Sequence, residues 1–582
     1  MNQVKRKTIN VTSIESDTQL SLSCGNPFET EIALYEKERH LSDITATVAV
    51  PDFYHIAFPN LGHQIVEKQL NDTPGYYADR AYLDHDYSLL KENPHVKPEV
   101  IFVSMSYEGS YIRALRLVEQ MGVPLRKNDR KEGDPLVVFG GWSISRNPLP
   151  LFEFADVIGV GDAEYIINEI AKAYRENRTS RERVFDRLVN NRGIIIPSRY
   201  KVETENGYLI KWEAKNAPID IFPSESTIFP HSWYLSSETD YNEIGYYSGK
   251  TFFSMQIVDA CGSKCNFCAS GYKNKVRDIR DPIQVADLGE WAATYGADLV
   301  KLLFPANSSL TATKAIMQEL LERGLSPRVG SAKAEKIDFE YIQLVGKAGQ
   351  EKIAFAPETG DYELRKRLGK PGMTDQVLER VITESILAGI PNLDFYLIMN
   401  LPGEAPDSFD KTINLLGEFY NLAKKKGLPG RVRISAPNFF PKAGTPFQYA
   451  ASGAIDLYLE KVAVLEKNLG ATVKVSSMKG SVDLLSQNIL ARGGVETGEL
   501  MIAVHKKLQI REAKTGIYTP DTLEDWREAM TELDLDEHAY FDQKDTKKPL
   551  PWQYIHISDK TEHALIKAWE VFQGKRALFV TK

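Results

Sequence analysis

The chain has 582 residues, 43% hydrophobic and 26% charged, with a formal net charge of −8; this is ordinary globular composition, long enough for three or four domains with large cores. No apolar run approaches the roughly 18 to 20 residues of a membrane span and Met1 to Ser13 is polar, so the expected setting is the cytoplasm with no membrane partner. Net acidity removes the global basic field of a nucleic-acid binder, and four cysteines, three of them in one short stretch, argue against a disulfide scaffold.

Residues 1–44 read as a polar N-terminal extension with one predicted helix, Glu29 to Arg39. From Tyr54 strands and helices alternate: a strand to Phe58, a helix Leu61 to Asn71, a strand Ala78 to Tyr82, a continuous apolar strand Val100 to Ser106 and an amphipathic helix Ser110 to Met121. Strands Leu136 to Phe139 and Val157 to Val160 follow, then a helix Ala163 to Arg175. Continuous apolar strands between helices predict a parallel sheet covered on both faces, hence a doubly wound, Rossmann-like α/β domain over residues 45–189. Ligands of such sheets bind beyond the carboxyl ends of the strands. The residues expected there are Asn60, Gly62, Ser104, Ser106, Glu108, Gly140, Gly141 and Gly161, small or polar as a bulky ligand requires, although the glycines read equally well as tight turns.

Residues 190–245 form a predicted connecting region, with short strands Gly193 to Ile196 and Tyr208 to Trp212 around Asn206-Gly207, a strong hairpin signal. Strand and helix alternation then resumes. Thr251 to Val258, Leu299 to Phe304, Arg328 to Ser331, Lys352 to Ala356, Leu393 to Met399 and Arg431 to Ser435 are six predicted strands, a partial (β/α)6 barrel over residues 246–450 with its chemistry at the strands' C-terminal ends. Right after the first of them come Cys261, Cys265 and Cys268, spaced C-x3-C-x2-C. Three thiolates leave one iron of a four-iron cluster without a protein ligand, an open place to bind something. Three ordinary buried thiols, or a zinc site short of one ligand, remain alternatives; only Cys24 is left elsewhere, and no His lies in the segment. Lys264, between the cysteines, either assists thiol deprotonation or is merely solvated. Residues 451–582 read as a helical domain, with helices at Asp456 to Leu469 and within Ser481 to Lys507; Trp526, Trp552 and Trp569 either cover the barrel mouth or lie in the core.

The segment Cys261-Gly-Ser-Lys-Cys265-Asn-Phe-Cys268 resembles the cysteine motif of the radical S-adenosylmethionine (SAM) family. There SAM chelates the fourth iron, and an aromatic residue, here Phe267, lies beside the adenine. Phe355 to Leu368 resembles the fourth-strand segment of radical SAM cores related to methylthiotransferases, which implies that Glu358 contacts SAM, with Ser331, Arg365 and Lys370 as further candidates. A helix N-terminal carboxylate, for Glu358, and exposed helix charges, for Arg365 and Lys370, are the plainer readings. Leu397 to Glu404 resembles the fifth-strand motif ending in Leu-Pro-Gly-Glu, and Asn438 to Gln448 resembles a segment that closes these cores.

In the N-terminal half, Phe58 to Gly62, Val103 to Ser106, Val138 to Gly141, Asn147 to Pro150 and Ala155 to Gly161 resemble the cobalamin-binding domain that precedes many radical SAM cores. The D-x-H-x-x-G motif, whose His binds cobalt from below, is absent, and Asp84-His85-Asp86 does not fit it. The likeness covers roughly residues 50–560. It implies a cobalamin-dependent radical SAM enzyme with a 4Fe-4S cluster, SAM and cobalamin, supplied by a flavodoxin- or ferredoxin-like electron donor. The activity implied is C-methylation of an unactivated sp3 carbon in a peptide, a protein residue or a small molecule. A non-methylating rearrangement, RNA modification, and a cobalamin- or SAM-binding regulator with a structural cluster are the other readings; the acidic chain speaks against RNA.

Overall fold

The computed structural model describes residues 32–36, 40, 42–83, 97–226, 228–237, 250–258, 261–272, 279–305, 310–469, 473–478, 482–515, 518–558 and 560–575. Cys24 and Asp84-His85-Asp86 lie outside them. Within the segment expected to be helical from Glu29 to Arg39, Ile32–Ala33 is a short strand, β1, paired antiparallel with Leu235 and Tyr234.

The N-terminal sheet starts at β2 (Ile44–Val50), ahead of the expected strand. Tyr54–Ala57 is instead one turn of helix, its Ala57 and Phe58 amides donating to the Phe53 and Tyr54 carbonyls. The aromatic residues explain the correction: Tyr54 and Phe58, four apart, stack at 4.9 Å, a helical pairing. The sheet continues with β3 (Tyr76–Tyr82), β4 (Val100–Ser104), β5 (Leu136–Gly140), β6 (Val157–Gly159) and β7 (Ile194–Ile195). The order is β3-β2-β4-β5-β6-β7, parallel except for β7. Alternate residues of β4 serve two cores. Val100 and Phe102 pack with Ile166 and Ile170, whereas Ile101 and Val103 pack with Leu115 and Val118, which is why this strand is apolar throughout. β7 comes from the stretch expected in the connecting region. The hairpin there joins β8 (Tyr200–Glu205) to β9 (Tyr208–Ala214), with Asn206 and Gly207 at φ 53° and 66° as a two-residue turn of this hand demands.

Beyond β10 (Tyr234–Ser237), the second half repeats strand and helix: β11 (Thr251–Gln256), β12 (Leu299–Leu303), β13 (Ser326–Val329), β14 (Lys352–Glu358), β15 (Asn392–Leu397), β16 (Val432–Ser435) and β17 (Val473–Ser476). β11 to β13 pair in parallel, as do β14 to β17, and an isolated bridge between Ala332 and Phe355 links the two groups. All six expected strands are present. The seventh, β17, emerges from sequence that reads as purely helical and pairs residue for residue with β16. Helices Pro282–Thr294, Leu310–Glu322, Phe339–Lys347, Asp375–Leu387, Ser408–Lys425 and Ile455–Leu469 fill the intervals, so the strands' C-terminal ends share one rim.

After β17 the chain is helical: Asp483–Arg492, Glu496–Thr515, Leu523–Glu532 and Glu562–Phe572. Helix Glu496–Thr515 packs on Tyr111–Gln120 of the N-terminal half, where His505 Nε2 meets Glu119 at 2.9 Å. Trp526, Trp552 and Trp569 are buried core side chains; the Trp569 ring packs on Phe447 at 5.6 Å. No described helix is long and apolar enough to cross a membrane.

Candidate functional site

The three cysteines occupy one tight loop beyond β11, with Cys261 and Cys265 buried and Cys268 partly so. Backbone bonds fold it: Cys261 N donates to Ser270 O at 3.2 Å and Cys268 N to Cys265 O at 3.1 Å. The barrel clamps it from outside. Asn266 donates from its backbone to Leu368 O (3.0 Å) and from its side chain to Arg367 O (2.9 Å), and accepts from Phe447 N (3.1 Å). Gly369, at φ 95°, passes so close that a β-carbon there would lie 3.0 Å from Lys264 O and 3.2 Å from the Cys265 Cα.

Burial pushes the Cys265 thiol up to about 11, while the Lys370 and Lys333 ammonium groups pull it down and Cys268 and Glu358 push it further up. Lys333 lies 3.6 Å from the Cys261 sulfur. Lys264, the cation that the spacing suggested, reaches instead to Gly271 O at 2.5 Å and lies over the Tyr272 ring, holding the loop rather than the thiols. No three His, Cys, Asp or Glu side chains among the described residues converge at metal-ligand distance, so the thiols share a loop without forming a closed triad. Their donor chemistry nevertheless fits an iron-sulfur cluster. All three are free thiols in one short loop, with two lysines whose charge favours thiolate.

Glu358 ends β14 after a register shift, at φ 65°, a left-handed backbone that a β-carbon disfavours. It is buried and paired with Lys370, which also donates to Ala356 O at 2.7 Å. Burial pushes the Glu358 carboxyl up, with Lys370 opposing, and burial likewise works against the Lys370 ammonium, which Glu358 and Cys265 hold above the ordinary lysine value. The two directions conflict over whether the pair is ionised; the additional carbonyl contact favours the charged Lys370, hence the ion pair. Phe267 lies on the same side, 5.8 Å from the Lys370 nitrogen. Arg365 does not join this group. Fully buried, it donates to Met373 O (2.6 Å) and Gly360 O (3.3 Å) and pairs with Asp375, so it braces the turn after β14. In the fifth-strand motif, Glu404 accepts from Leu401 N at 3.1 Å and pairs with Lys461, again closing a turn.

A cavity of about 980 Å³ runs between the two halves. From the N-terminal sheet's strand ends it is lined by Asn60, Gly62, Gly141 and Gly161; from the barrel, by Ser254, Gln256 and Ser331; and Ile557 lines it from the segment before helix Glu562–Phe572. Ser104, Ser106, Gly140, Glu108, Phe267, Glu358 and Arg365 do not line it. Glu108 is buried elsewhere, its carboxylate held by Lys442 (2.8 Å) and Gln487 (3.3 Å), a fixed structural charge instead of a ligand contact. The lining glycines are also needed by the backbone. A β-carbon on Gly141 would stand 2.2 Å from Met105 O, and one on Gly161 2.4 Å from Ser224 O.

Arg146, which sequence reasoning missed, connects the cavity to the cysteine loop. It donates to Ala269 O (3.4 Å) and Ile557 O (3.3 Å), lies over the Trp142 ring at 4.3 Å and leaves its buried Nε without a hydrogen bond. Burial lowers its pKa to about 10 against the pull of Cys268 and Glu108. No local motif marks a single arginine whose partners lie 123 and 411 residues away.

Residues 62–197 match the family described as radical SAM proteins, N-terminal, and residues 255–416 match the radical SAM superfamily; together the two span a little over half of the chain. No curated protein matches it in sequence. Among solved structures the chain is similar to TsrM, a radical S-adenosylmethionine methyltransferase from Kitasatospora setae solved with cobalamin and a 4Fe-4S cluster bound. The identity is 16%, over 70% of this chain and 77% of that one, with a TM-score of 0.48. It is also similar to the cobalamin-dependent S-adenosylmethionine radical enzyme OxsB solved with aqua-cobalamin, at 15% identity over 92% and 80% of the chains and a TM-score of 0.45. SuiB of Streptococcus suis, bound to S-adenosylmethionine, aligns at 12% identity over 38% and 49%, with a TM-score of 0.29.

Proposed function

The chain belongs to the radical SAM superfamily, whose members use a four-iron, four-sulfur cluster and SAM, and on that premise we propose that it is a cobalamin-dependent C-methyltransferase of an unactivated sp3 carbon. In this reading residues 45–189 form the corrinoid-binding domain, 246–450 the radical core and 451–582 a helical domain. Cys261, Cys265 and Cys268 hold the cluster. Glu358, Phe267 and Ser331 are the SAM partners, and Asn60, Gly62, Gly141 and Gly161 receive the corrinoid. When bound, the cluster supplies the electron that splits SAM to methionine and a 5′-deoxyadenosyl radical, and the corrinoid supplies a transferable methyl group.

The observation that carries the reading is a cavity of about 980 Å³ that touches the strand ends of both halves. That volume lies at the upper end of the range for a small-molecule site. Gly141 and Gly161 line the sheet side, where the lack of a side chain lets the Met105 and Ser224 backbones pack closely, and Gln256 and Ser331 line the barrel side. The protein's own task is then to exclude water and to present one substrate C–H to the radical carbon. The substrate class proposed is a peptide, a protein residue or a small molecule, and the electron donor a flavodoxin- or ferredoxin-like protein.

The test is anaerobic reconstitution with iron, sulfide and hydroxocobalamin, followed by methyl-labelled SAM and fractionated extract of the source organism. Expected are about four irons per chain, a stoichiometric corrinoid, deoxyadenosine release and label in a non-nucleic-acid acceptor. Cys265→Ala should lose both cluster and SAM cleavage. Full retention of both would overturn the cluster assignment; label in RNA, or deoxyadenosine without methyl transfer, would overturn the reaction.

A further inference from the structure

Resting on the cysteine ligation proposed above, we propose that Arg146 is a positioning residue of the cluster: from the N-terminal half it supplies the counter-charge at Cys268 and so favours the cluster's one-electron reduction by its donor. Arg146 sits in the turn that leaves β5, and that turn is fixed from several sides. Ser145 N donates to Gly141 O and Arg146 N to Ser143 O, both at 3.0 Å, while the Ser145 hydroxyl donates to Gly141 O and accepts from Gly161 N, both at 2.9 Å. The next residue, Asn147, donates to Gly493 O at 2.7 Å and ties the turn to the end of helix Asp483–Arg492. From this base the guanidinium crosses to the cysteine loop. It donates to the carbonyl of Ala269, the residue after Cys268, at 3.4 Å, and to Ile557 O at 3.3 Å. The segment that closes the barrel packs against it, since a β-carbon on Gly444 would stand 3.3 Å from one of its terminal nitrogens.

A guanidinium buried in this way needs a counter-charge. Arg146 is 5% exposed, its Nε has no hydrogen bond, its other bonds go to neutral carbonyls, and among the described residues no carboxylate forms an ion pair with it. An uncompensated buried charge is strongly unfavourable. Burial works against the Arg146 charge, and of the two anionic groups that oppose burial Cys268 acts more strongly than Glu108. Glu108 is already committed to Lys442, at 2.8 and 3.0 Å. What remains is the cysteine loop. Three thiolates make a four-iron cluster anionic and reduction adds a further negative charge, so a fixed cation beside it favours the reduced form. The other two cysteines have their cations from the barrel, where Lys333 lies 3.6 Å from the Cys261 sulfur and Lys370 acts on Cys265. Arg146 adds one at Cys268 from the other half of the molecule. The half that lines the cavity with Trp142 beneath this guanidinium thereby also takes part in setting the potential of the cluster.

The test is a redox titration of the anaerobically reconstituted full-length protein, followed by electron paramagnetic resonance of the reduced cluster, without SAM or corrinoid. Arg146→Gln keeps an amide that can donate to the same carbonyls but removes the charge. It should move the midpoint to more negative potential by roughly tenfold in the reduction equilibrium, about 59 mV for a one-electron couple. Arg146→Lys, which keeps the charge, should retain most of the wild-type midpoint. Arg126→Ala, at an exposed arginine of the same half paired with Glu499, should leave it unchanged. Iron content and far-UV circular dichroism establish that each chain is folded and loaded. A loaded Arg146→Gln protein with the wild-type midpoint overturns the proposal, as does an Arg146→Lys midpoint as low as that of Arg146→Gln. Should the glutamine chain take up no iron, the lysine chain still decides, because a midpoint tenfold below the wild type's in a variant that keeps the charge overturns the proposal. A wild type that takes up no iron loses the cysteine ligation itself, whereas a loaded cluster indifferent to the charge at residue 146 loses this inference alone.

Discussion

Arg365 illustrates how a residue can carry the right chemistry in the right motif and still serve the scaffold. Its guanidinium is occupied by two carbonyls and Asp375, and it is fully buried. Arg365→Ala is therefore expected to lower unfolding stability by about 2 kcal/mol, the scale for hydrogen bonds to a charged group, while leaving SAM affinity of the folded fraction unchanged. Chemical denaturation and equilibrium dialysis with labelled SAM would separate the two. A tenfold loss of SAM affinity at unchanged stability would restore Arg365 to the site. The cysteines were legible because ligand spacing is a local property. Lys333 was not, since its contact with the Cys261 sulfur spans 72 residues. Glu358 was legible as a residue of interest, but its left-handed backbone and its pairing with Lys370 come from the turn that follows.

Elements were legible wherever both faces of a strand are covered, because the apolar run is then continuous, as in β4 and β5. β2 escaped because it reads Ile-Thr-Ala-Thr-Val-Ala-Val, yet its threonines are buried too, Thr45 Oγ1 donating to Lys97 O at 3.2 Å. β17 escaped because four residues between helices carry little periodicity of their own; its partner β16 defines it. The Asn206-Gly207 turn was legible, but not its docking. Buried Lys544 donates to Asn206 O and Ala539 O, both at 2.7 Å, and burial, with Arg492 adding to it, lowers its pKa to about 7. Between about pH 7 and the ordinary lysine value the unfolded chain thus holds a proton that the folded chain does not, so stability rises with pH across that window. The slope attributable to one proton is at most about 1.4 kcal/mol per pH unit. Lys544→Met should flatten this rise, which denaturation midpoints at pH 7, 8 and 9 would register as roughly parallel shifts lost in the variant; an unchanged slope would mean that Lys544 is not the group.

At the scale of the molecule, the two halves are joined by more than the connecting hairpin, since one apolar core takes in Val103 and Leu115 of the N-terminal sheet, Phe355 and Phe395 of the barrel, and Leu500 and Val504 of the C-terminal helices. Inside that interface lies a fixed charge pair. Glu108 opens the short 3-10 turn Glu108–Ser110 that follows β4, Lys442 comes from the segment after β16, and Gln487 from helix Asp483–Arg492, so three parts of the chain meet at one carboxylate. Burial disfavours the Glu108 charge, but Lys442 and the surrounding hydrogen bonds outweigh it and hold the carboxyl below its ordinary value. A carboxyl lowered on folding adds stability above its unfolded pKa and loses it as pH falls through the folded value. Lys442→Met removes the outweighing cation and leaves a buried carboxylate without its partner, at a cost of about 3 kcal/mol near neutral pH. It also weakens the acid response, because burial at Glu108 is then opposed only by the backbone and Gln487 hydrogen bonds, so that mild acidification costs the variant less stability than it costs the wild type. The exposed pair between Arg126 and Glu499, 2.7 Å apart, supplies the control: Arg126→Ala should change stability by less than about 1 kcal/mol. Denaturant unfolding at pH 7 and pH 5 of the wild type and both variants tests the assignment. A Lys442→Met protein that loses stability on acidification as steeply as the wild type does would show that the charge at this junction is carried by another group.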